Sequence, residues 1–376
     1  MKGARHYRQL VINGRFLGAK PTGVQRVARQ LLLELQKHEH DLDALFAEGV
    51  TVCAPNNVIA IGDGNAMRLD AGGKLPGQAW EQIELPRRAS GKLLLSLCNL
   101  APIASKNAIT MIHDAQVYTM PSSYSRAFRQ WYRLLLPKIG HRHLQVLTVS
   151  EFSARQLVEF GVAPADRITV IHNGVDHVLG FTPDPSVNQA HGLARHGYVV
   201  ALASTQHHKN IGVLLRAFEQ GRMGGLRLVL IGGTGAAEFA AEGLAVPPGT
   251  LFAGKVTDGQ MRALMEEALC FAMPSLTEGF GLPPLEAMML GCPAVLAPCG
   301  ALPEVGGDAA LYADPHDPAA WADAMRRLRD EPDLRERLVV AGRVQSGRFT
   351  WAAAGRRLVE TIQRFAAPRA ARRLTP

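Results

Sequence analysis

Pro274-Ser275-Leu276-Thr277-Glu278-Gly279-Phe280-Gly281-Leu282-Pro283-Pro284-Leu285-Glu286-Ala287-Met288 follows an apolar run, Cys270–Met273, that reads as a buried strand. Its two carboxylates, Glu278 and Glu286, stand eight residues apart across a glycine loop and a double proline. Pro283 and Pro284 suit a helix start, where their missing N–H groups have no intrahelical use. The stretch therefore reads as strand, loop and helix, with Glu278 on the loop and Glu286 about one turn into the helix. The positive helix end and the bare backbone of Gly279 and Gly281 make a place for an anionic ligand, with one carboxylate at each end.

The same alternation extends in both directions. Toward the N-terminus, Leu10–Ile12, Leu93–Cys98, Ala108–Ile112, Val146–Val149 and Ile168–Ile171 read as strands. Helical periods run over about Val24–Lys37, Tyr124–Ile139 and Phe152–Phe160. The pattern breaks at His172-Asn173-Gly174-Val175-Asp176, and residues 177–197 read as an interdomain connection. A second series then alternates Val199–Ala203, Leu226–Ile231, Leu251–Ala253, Cys270–Met273, Ala294–Ala297 and Ala310–Tyr312 with helices at Ile211–Gln220, Met261–Leu269, Leu285–Leu290 and Pro318–Arg329. This is an α/β chain: two doubly wound domains, expected to face each other across a cleft at the C-terminal ends of their strands. The expected boundaries are 1–174 and 175–350, followed by an apolar-faced helix over 351–366 and a basic, disordered tail over 367–376.

Composition agrees with this size and excludes other classes. A chain of 376 residues exceeds a typical single core, and 47% hydrophobic residues is ample for burial. No apolar run approaches the ~18 residues of a spanning helix, and Leu10–Ile12 is too short for a signal peptide. The five cysteines lack metal-type spacing and read as reduced thiols, so a cytoplasmic location is expected. The net charge of +8 favours an anionic partner, and no nucleic-acid-binding signature is present. Asp41-Leu42-Asp43 satisfies a D-x-D pattern but lies after the first helix, away from the strand-end loops, and is read as chance.

EGFGLPPLEAM resembles the retaining glycosyltransferases of the GT4 type, and the resemblance covers nearly the whole chain. It implies the GT-B fold, two facing Rossmann-like domains with the 351–366 helix packing back on the first. It implies a nucleotide diphosphate sugar as donor, with GDP-mannose the first expectation, and no metal or other cofactor. It implies a glycan or polyprenyl-diphosphate-linked acceptor, as in bacterial surface polysaccharide or lipopolysaccharide assembly, at the cytoplasmic face of the inner membrane.

By the same resemblance, Lys209 contacts the donor diphosphate, Glu278 lies near the transferred sugar and Glu286 accepts from ribose hydroxyls. Phe280, Gly281 and Leu282 offer backbone N–H groups. Ala301 and Leu302 belong to a phosphate-side turn, Gly233 to a glycine-rich turn, and Lys255 and Val256 lie by the nucleobase. Ser204 and His208 stand where the family carries basic residues, so Thr205 or His208 is expected to hydrogen-bond a phosphate. In the first domain Thr22, Gly23 and Arg26 form a loop for the diphosphate or acceptor, and His113 positions the transferred sugar. Ser150-Glu151-Phe152 is expected to cap a helix beside them.

Other readings stay open. A nucleotide-sugar epimerase shares this architecture, and the basic charge also suits a non-enzymatic membrane or nucleic-acid binder. Tyr124–Arg142 interleaves Arg126, Arg129, Arg133, Lys138 and Arg142 with Phe128, Trp131 and Tyr132. It reads either as a helix with its apolar side in the core, the favoured reading, or as a segment lying on an anionic membrane surface.

Overall fold

The computed structural model describes residues 7–19, 22–56, 67–219 and 223–366. Pro21, the expected helix end at Gln220 and the expected tail over 367–376 lie outside the described residues. The chain forms two compact units. The first comprises Met1–Thr119, Tyr124–Asn173 and Trp351–Pro376; the second comprises Met120–Ser123 and Gly174–Thr350.

The first unit is built on a parallel sheet of β1 (Leu10–Asn13), β2 (Val50–Ala54), β3 (Arg68–Ala71), β4 (Leu93–Ser96), β5 (Ala108–Met111), β6 (Gln145–Thr148) and β7 (Ile168–Val170). Their spatial order is β3-β2-β1-β4-β5-β6-β7, so the direction of winding reverses between β1 and β4. Every residue of β1, β2, β4, β5 and β6 is buried, as expected of parallel strands covered on both faces. The sequence reading missed β2 and β3. In Val50–Ala54 the polar Thr51 interrupts the apolar run, and β3 is an edge strand whose residues are exposed or half-buried, so it carries no run of apolar side chains.

The Trp351–Ala366 helix belongs to this unit and buries Trp351, Leu358 and Ile362. It packs on the Gly23–Lys37 helix through Gly355, where an added Cβ would lie 2.6 Å from Glu34 Cβ. Glycine there sets the close approach of the two helices.

The second sheet contains β8 (Tyr198–Leu202), β9 (Arg227–Ile231), β10 (Leu251–Gly254), β11 (Cys270–Met273), β12 (Ala294–Leu296) and β13 (Ala310–Tyr312). All are parallel, in the order β10-β9-β8-β11-β12-β13, with the reversal between β8 and β11. Val199, Leu214, Leu230, Val295, Trp321 and Met325 anchor the core. The helices Ala236–Ala241 and Pro332–Ser346 were not read from sequence. Val340 and Val344 of the latter stand exposed, which blurs its apolar period.

The reading of 177–197 as a patternless connection needs correction. Asp176–Gly180 is a 3-10 helix and Ser186–Ala190 an α-helix, both within the second unit. Asn188 is buried and donates to Tyr198 Oη at 3.1 Å and to Glu267 Oε2 at 2.7 Å, which ties the segment down. Its polar composition hid these fixed positions.

Candidate active site

In the second unit, the loop after β8 carries Lys209 and the loop after β11 carries Glu278. These two strands flank the reversal point, where open α/β sheets bind ligands beyond their C-terminal ends. Three contacts strap the loops together: Leu276 N donates to His208 O at 2.8 Å, Asn210 Nδ2 donates to Pro274 O at 3.1 Å, and Lys209 Nζ donates to Glu278 Oε1 at 2.7 Å. Asn210 adopts φ +54° and reaches Pro315 O with the same amide at 2.7 Å. Glu278 is 8% exposed, so its charge is held in place by a cation that stays partly solvated.

The helix read from the double proline spans Leu282–Met289, with Pro283 and Pro284 in its first turn. Those prolines remove two of the donors at this helix end, so Gly281 and Leu282 carry the backbone N–H groups nearest to it. Gly281 is required where it stands: its φ is +113°, and an added Cβ would meet Leu302 Cδ2 at 3.0 Å. Gly300 (φ +64°) packs on the backbone of Glu278, and Ala301 N donates to Glu278 O at 3.0 Å. The turn containing Ala301 and Leu302 thus shapes the Glu278 loop. Both side chains are fully buried, so only their backbone can serve a ligand.

Glu286 projects from this helix half-buried, and its Oε1 lies 3.3 Å from His177 Nε2. Sequence reasoning missed His177; its only signal was an imidazole in a stretch assigned to a connection. Each glutamate of the pair therefore has its own basic partner from a different segment.

Around this centre, Thr205 is half-buried and Phe280 buried. Gly233 and Lys255 come together, since a Cβ on Gly233 would lie 3.0 Å from Lys255 Cε. Val256 is half-buried beside them in sequence. His208 has one ring nitrogen engaged within the fold. Its ring is 2% exposed and hydrogen-bonds Ser123 Oγ through Nδ1 at 2.9 Å, while burial, then Lys209, holds its pKa below the usual imidazole value. That nitrogen serves the fold rather than a phosphate.

In the first unit, Thr22 N donates to Gln25 Oε1 at 3.2 Å at the start of the Gly23–Lys37 helix. Thr22 and Gly23 are exposed and Arg26 half-buried. His113 follows β5. Its N–H donates to Asn99 Oδ1 at 2.8 Å and its Nε2 donates to Leu97 O at 2.9 Å. Burial pushes its pKa down to about 4, so near neutral pH the ring is uncharged with its proton on Nε2. Asp114 accepts from Gln116 N at 2.9 Å, and Ser150 caps the Glu151–Glu159 helix.

At the β1/β4 reversal the sequence reading missed a buried network. Glu81 Oε1 accepts from Asn13 Nδ2 at 2.7 Å and from Arg15 Nε at 3.1 Å, and burial raises the Glu81 pKa. Among the described residues no group of three His, Cys, Asp or Glu side chains is arranged to hold a metal ion.

Known proteins share both halves of the chain. Residues 21–179 match the family described as Glycosyltransferase Family 4, and residues 196–331 match Glycosyl transferases group 1. O-antigen chain mannosyltransferase B of Escherichia coli is 33% identical over 263 residues, covering 66% of this chain and 68% of that protein. D-inositol 3-phosphate glycosyltransferase of Corynebacterium diphtheriae is 29% identical over 71% of this chain and 66% of its own length. Among solved structures, Anabaena HepE in complex with UDP and glucose aligns with a TM-score of 0.71 at 17% identity, over 95% of this chain and 99% of that one. WaaG, a glycosyltransferase involved in lipopolysaccharide biosynthesis, aligns with a TM-score of 0.67 at 13% identity, over 94% and 99%. The fold is GT-B, and the chain belongs to glycosyltransferase family 4, within the group 1 glycosyl transferases.

Proposed function

We propose that the chain transfers a hexose, mannose from GDP-mannose as first choice, to a glycan or lipid-linked glycan acceptor with retention of anomeric configuration. The observation that carries this reading is the Lys209–Glu278 pair at the sheet reversal, with Glu286 projecting from the helix that follows. Lys209 neutralises the charge that builds on the departing diphosphate. Glu278 accepts from hydroxyls of the sugar, and Glu286 accepts from the ribose. The C1–oxygen bond to the diphosphate breaks, the acceptor oxygen bonds C1 on the same face, and its proton passes to a diphosphate oxygen. His113, uncharged, positions the sugar rather than titrating. The diphosphate is served by Lys209 and backbone N–H groups, so transfer needs no divalent metal. The names of the O-antigen mannosyltransferase relatives support a role in surface polysaccharide assembly.

Thermal unfolding against GDP, UDP, dTDP and their sugars tests the reading. A ligand at about 100 times its dissociation constant adds roughly 2.7 kcal/mol. A shift with one nucleotide, lost in both Lys209→Ala and Glu286→Ala, is the expected result, together with transfer that survives EDTA. Folded wild type that responds to no nucleotide rejects the transferase reading.

A peripheral membrane contact is a second element of the proposal, and one observation favours it. Among the described residues no helix is long and apolar enough to cross a membrane. The Arg126–Arg142 helix, however, exposes Trp131 (39%) and Leu134 (51%) opposite the buried Leu136 and Ile139. Its basic residues, with no acidic one among them, flank this exposed apolar face. Vesicles rich in phosphatidylglycerol should sediment the protein and phosphatidylcholine vesicles should not, and Trp131→Ser should weaken the binding.

A further inference from the structure

The two glutamates differ in what holds them. Lys209 is paired with Glu278. Glu286 meets an imidazole instead: His177 Nε2 lies 3.3 Å from its Oε1, with the side chains 5% and 15% exposed. His177 sits on the Asp176–Gly180 3-10 helix, which packs against the Leu282–Met289 helix. Its other side is set by Phe181, whose ring meets the imidazole edge-on with centroids 6.1 Å apart. Left alone, a glutamate side chain on a helix surface samples several rotamers. Nε2 and Oε1 stand within ion-pair distance but outside hydrogen-bond geometry, so the imidazole, packed against Phe181, draws the carboxylate toward its own side and leaves the remaining lone pairs to face away from it. A carboxylate so held accepts from two neighbouring hydroxyls at once, an arrangement that a single hydroxyl cannot satisfy.

We propose that His177 is a positioning residue that sets the preference of this site for ribonucleotides over 2′-deoxyribonucleotides, by holding the Glu286 carboxylate in the orientation that accepts from both ribose hydroxyls. The proposal rests on the nucleotide-sugar reading above. It assigns His177 no contact with the ligand; the imidazole acts through Glu286.

Calorimetric titration of the full chain with GDP and 2′-deoxy-GDP, and with UDP and 2′-deoxy-UDP, tests it. For whichever base binds, wild type should prefer the ribonucleotide by about tenfold or more, the value of one hydrogen bond to a charged group. His177→Phe keeps the ring volume but has no nitrogen to offer. It should bring the two affinities within about twofold, while His177→Gln, which retains an N–H donor, should keep most of the preference. Near-ultraviolet circular dichroism checks that both variants are folded. If His177→Phe weakens both nucleotides equally and the ratio stands, the residue only packs, and the proposal is overturned. A preference already lost in His177→Gln also overturns it, because a donor would then not be what matters. If wild type binds dTDP but neither GDP nor UDP, there is no ribose preference and the proposal is overturned; if it binds none of the three, the donor reading falls and takes the role of His177 with it, a result distinct from a preserved ratio.

Discussion

Lys209 and Glu278 form a pair in which one partner is buried and the other only partly so, and this asymmetry decides what each substitution does. Removing a partner from a fully buried pair costs roughly 3–5 kcal/mol. Lys209 keeps 23% of its side chain exposed, so Lys209→Ala should cost less, about 2 kcal/mol, by leaving Glu278 uncompensated. Lys209→Ala combined with Glu278→Gln should recover most of that stability and none of the transferase activity. Additive losses in a denaturant-unfolding cycle would show that the pair is not coupled. Two buried histidines make a second residue-scale prediction. His113 and His143 both have pKa values pushed down to about 4 by burial, against 6.5 in the unfolded chain. The unfolded state then binds protons first, so their contribution is whole above about pH 6.5 and is lost as pH falls toward 4. Each is on the order of 3 kcal/mol over that window. His143 is held by Thr110 Oγ1 at 2.8 Å and the Pro102 carbonyl, outside the candidate site. His143→Gln should therefore flatten the fall in stability between pH 7 and 4.5; an unchanged slope would remove His143 from the account.

The informative elements are the loops at the C-terminal ends of β8 and β11 and the turn that supports them. Gly300 carries φ +64° and has the Glu278 backbone where a side chain would go, with Glu278 O 2.8 Å from an added Cβ. Gly300→Ala combines left-handed strain with this collision. It should cost about 1–3 kcal/mol and lower kcat more than it raises KM, since it displaces the loop bearing Glu278. Steady-state kinetics on the folded variant checks the split. The Leu282–Met289 helix is legible in the sequence because its two prolines and glycine mark a helix start by simple stereochemistry. The Asp176–Gly180 turn is not, because a short 3-10 segment among Pro, Gly, His and Asn has no period to read. The Arg126–Arg142 helix shows a third case. Its composition reads correctly as helical, but Trp131 and Leu134 are surface residues rather than core.

On the scale of the whole molecule, the last described helix belongs with the first unit although it follows the second in sequence. Ending the chain at Thr350 should uncover the Gly23–Lys37 helix, whose Leu31, Leu32 and Leu35 are buried. Calorimetry should then show the unfolding of the first unit lowered or lost, while nucleotide binding by the second persists. Equal damage to both would mean that the helix supports more than the unit it packs in.

Local rules suffice to make this an α/β chain with two series of parallel strands, and to put Glu278 on a loop and Glu286 on the helix after it. Those rules act over a few residues at a time: runs of apolar side chains, proline at a helix start, glycine where a side chain will not fit. Long-range packing is what brings Lys209 to Glu278 across 69 residues of sequence and His177 to Glu286. It also turns the imidazole of His208 inward to Ser123. The Lys209–Glu278 pairing follows from strand order, which places β8 beside β11, and the other two from helices and turns packing on that sheet; no local pattern encodes which elements become neighbours.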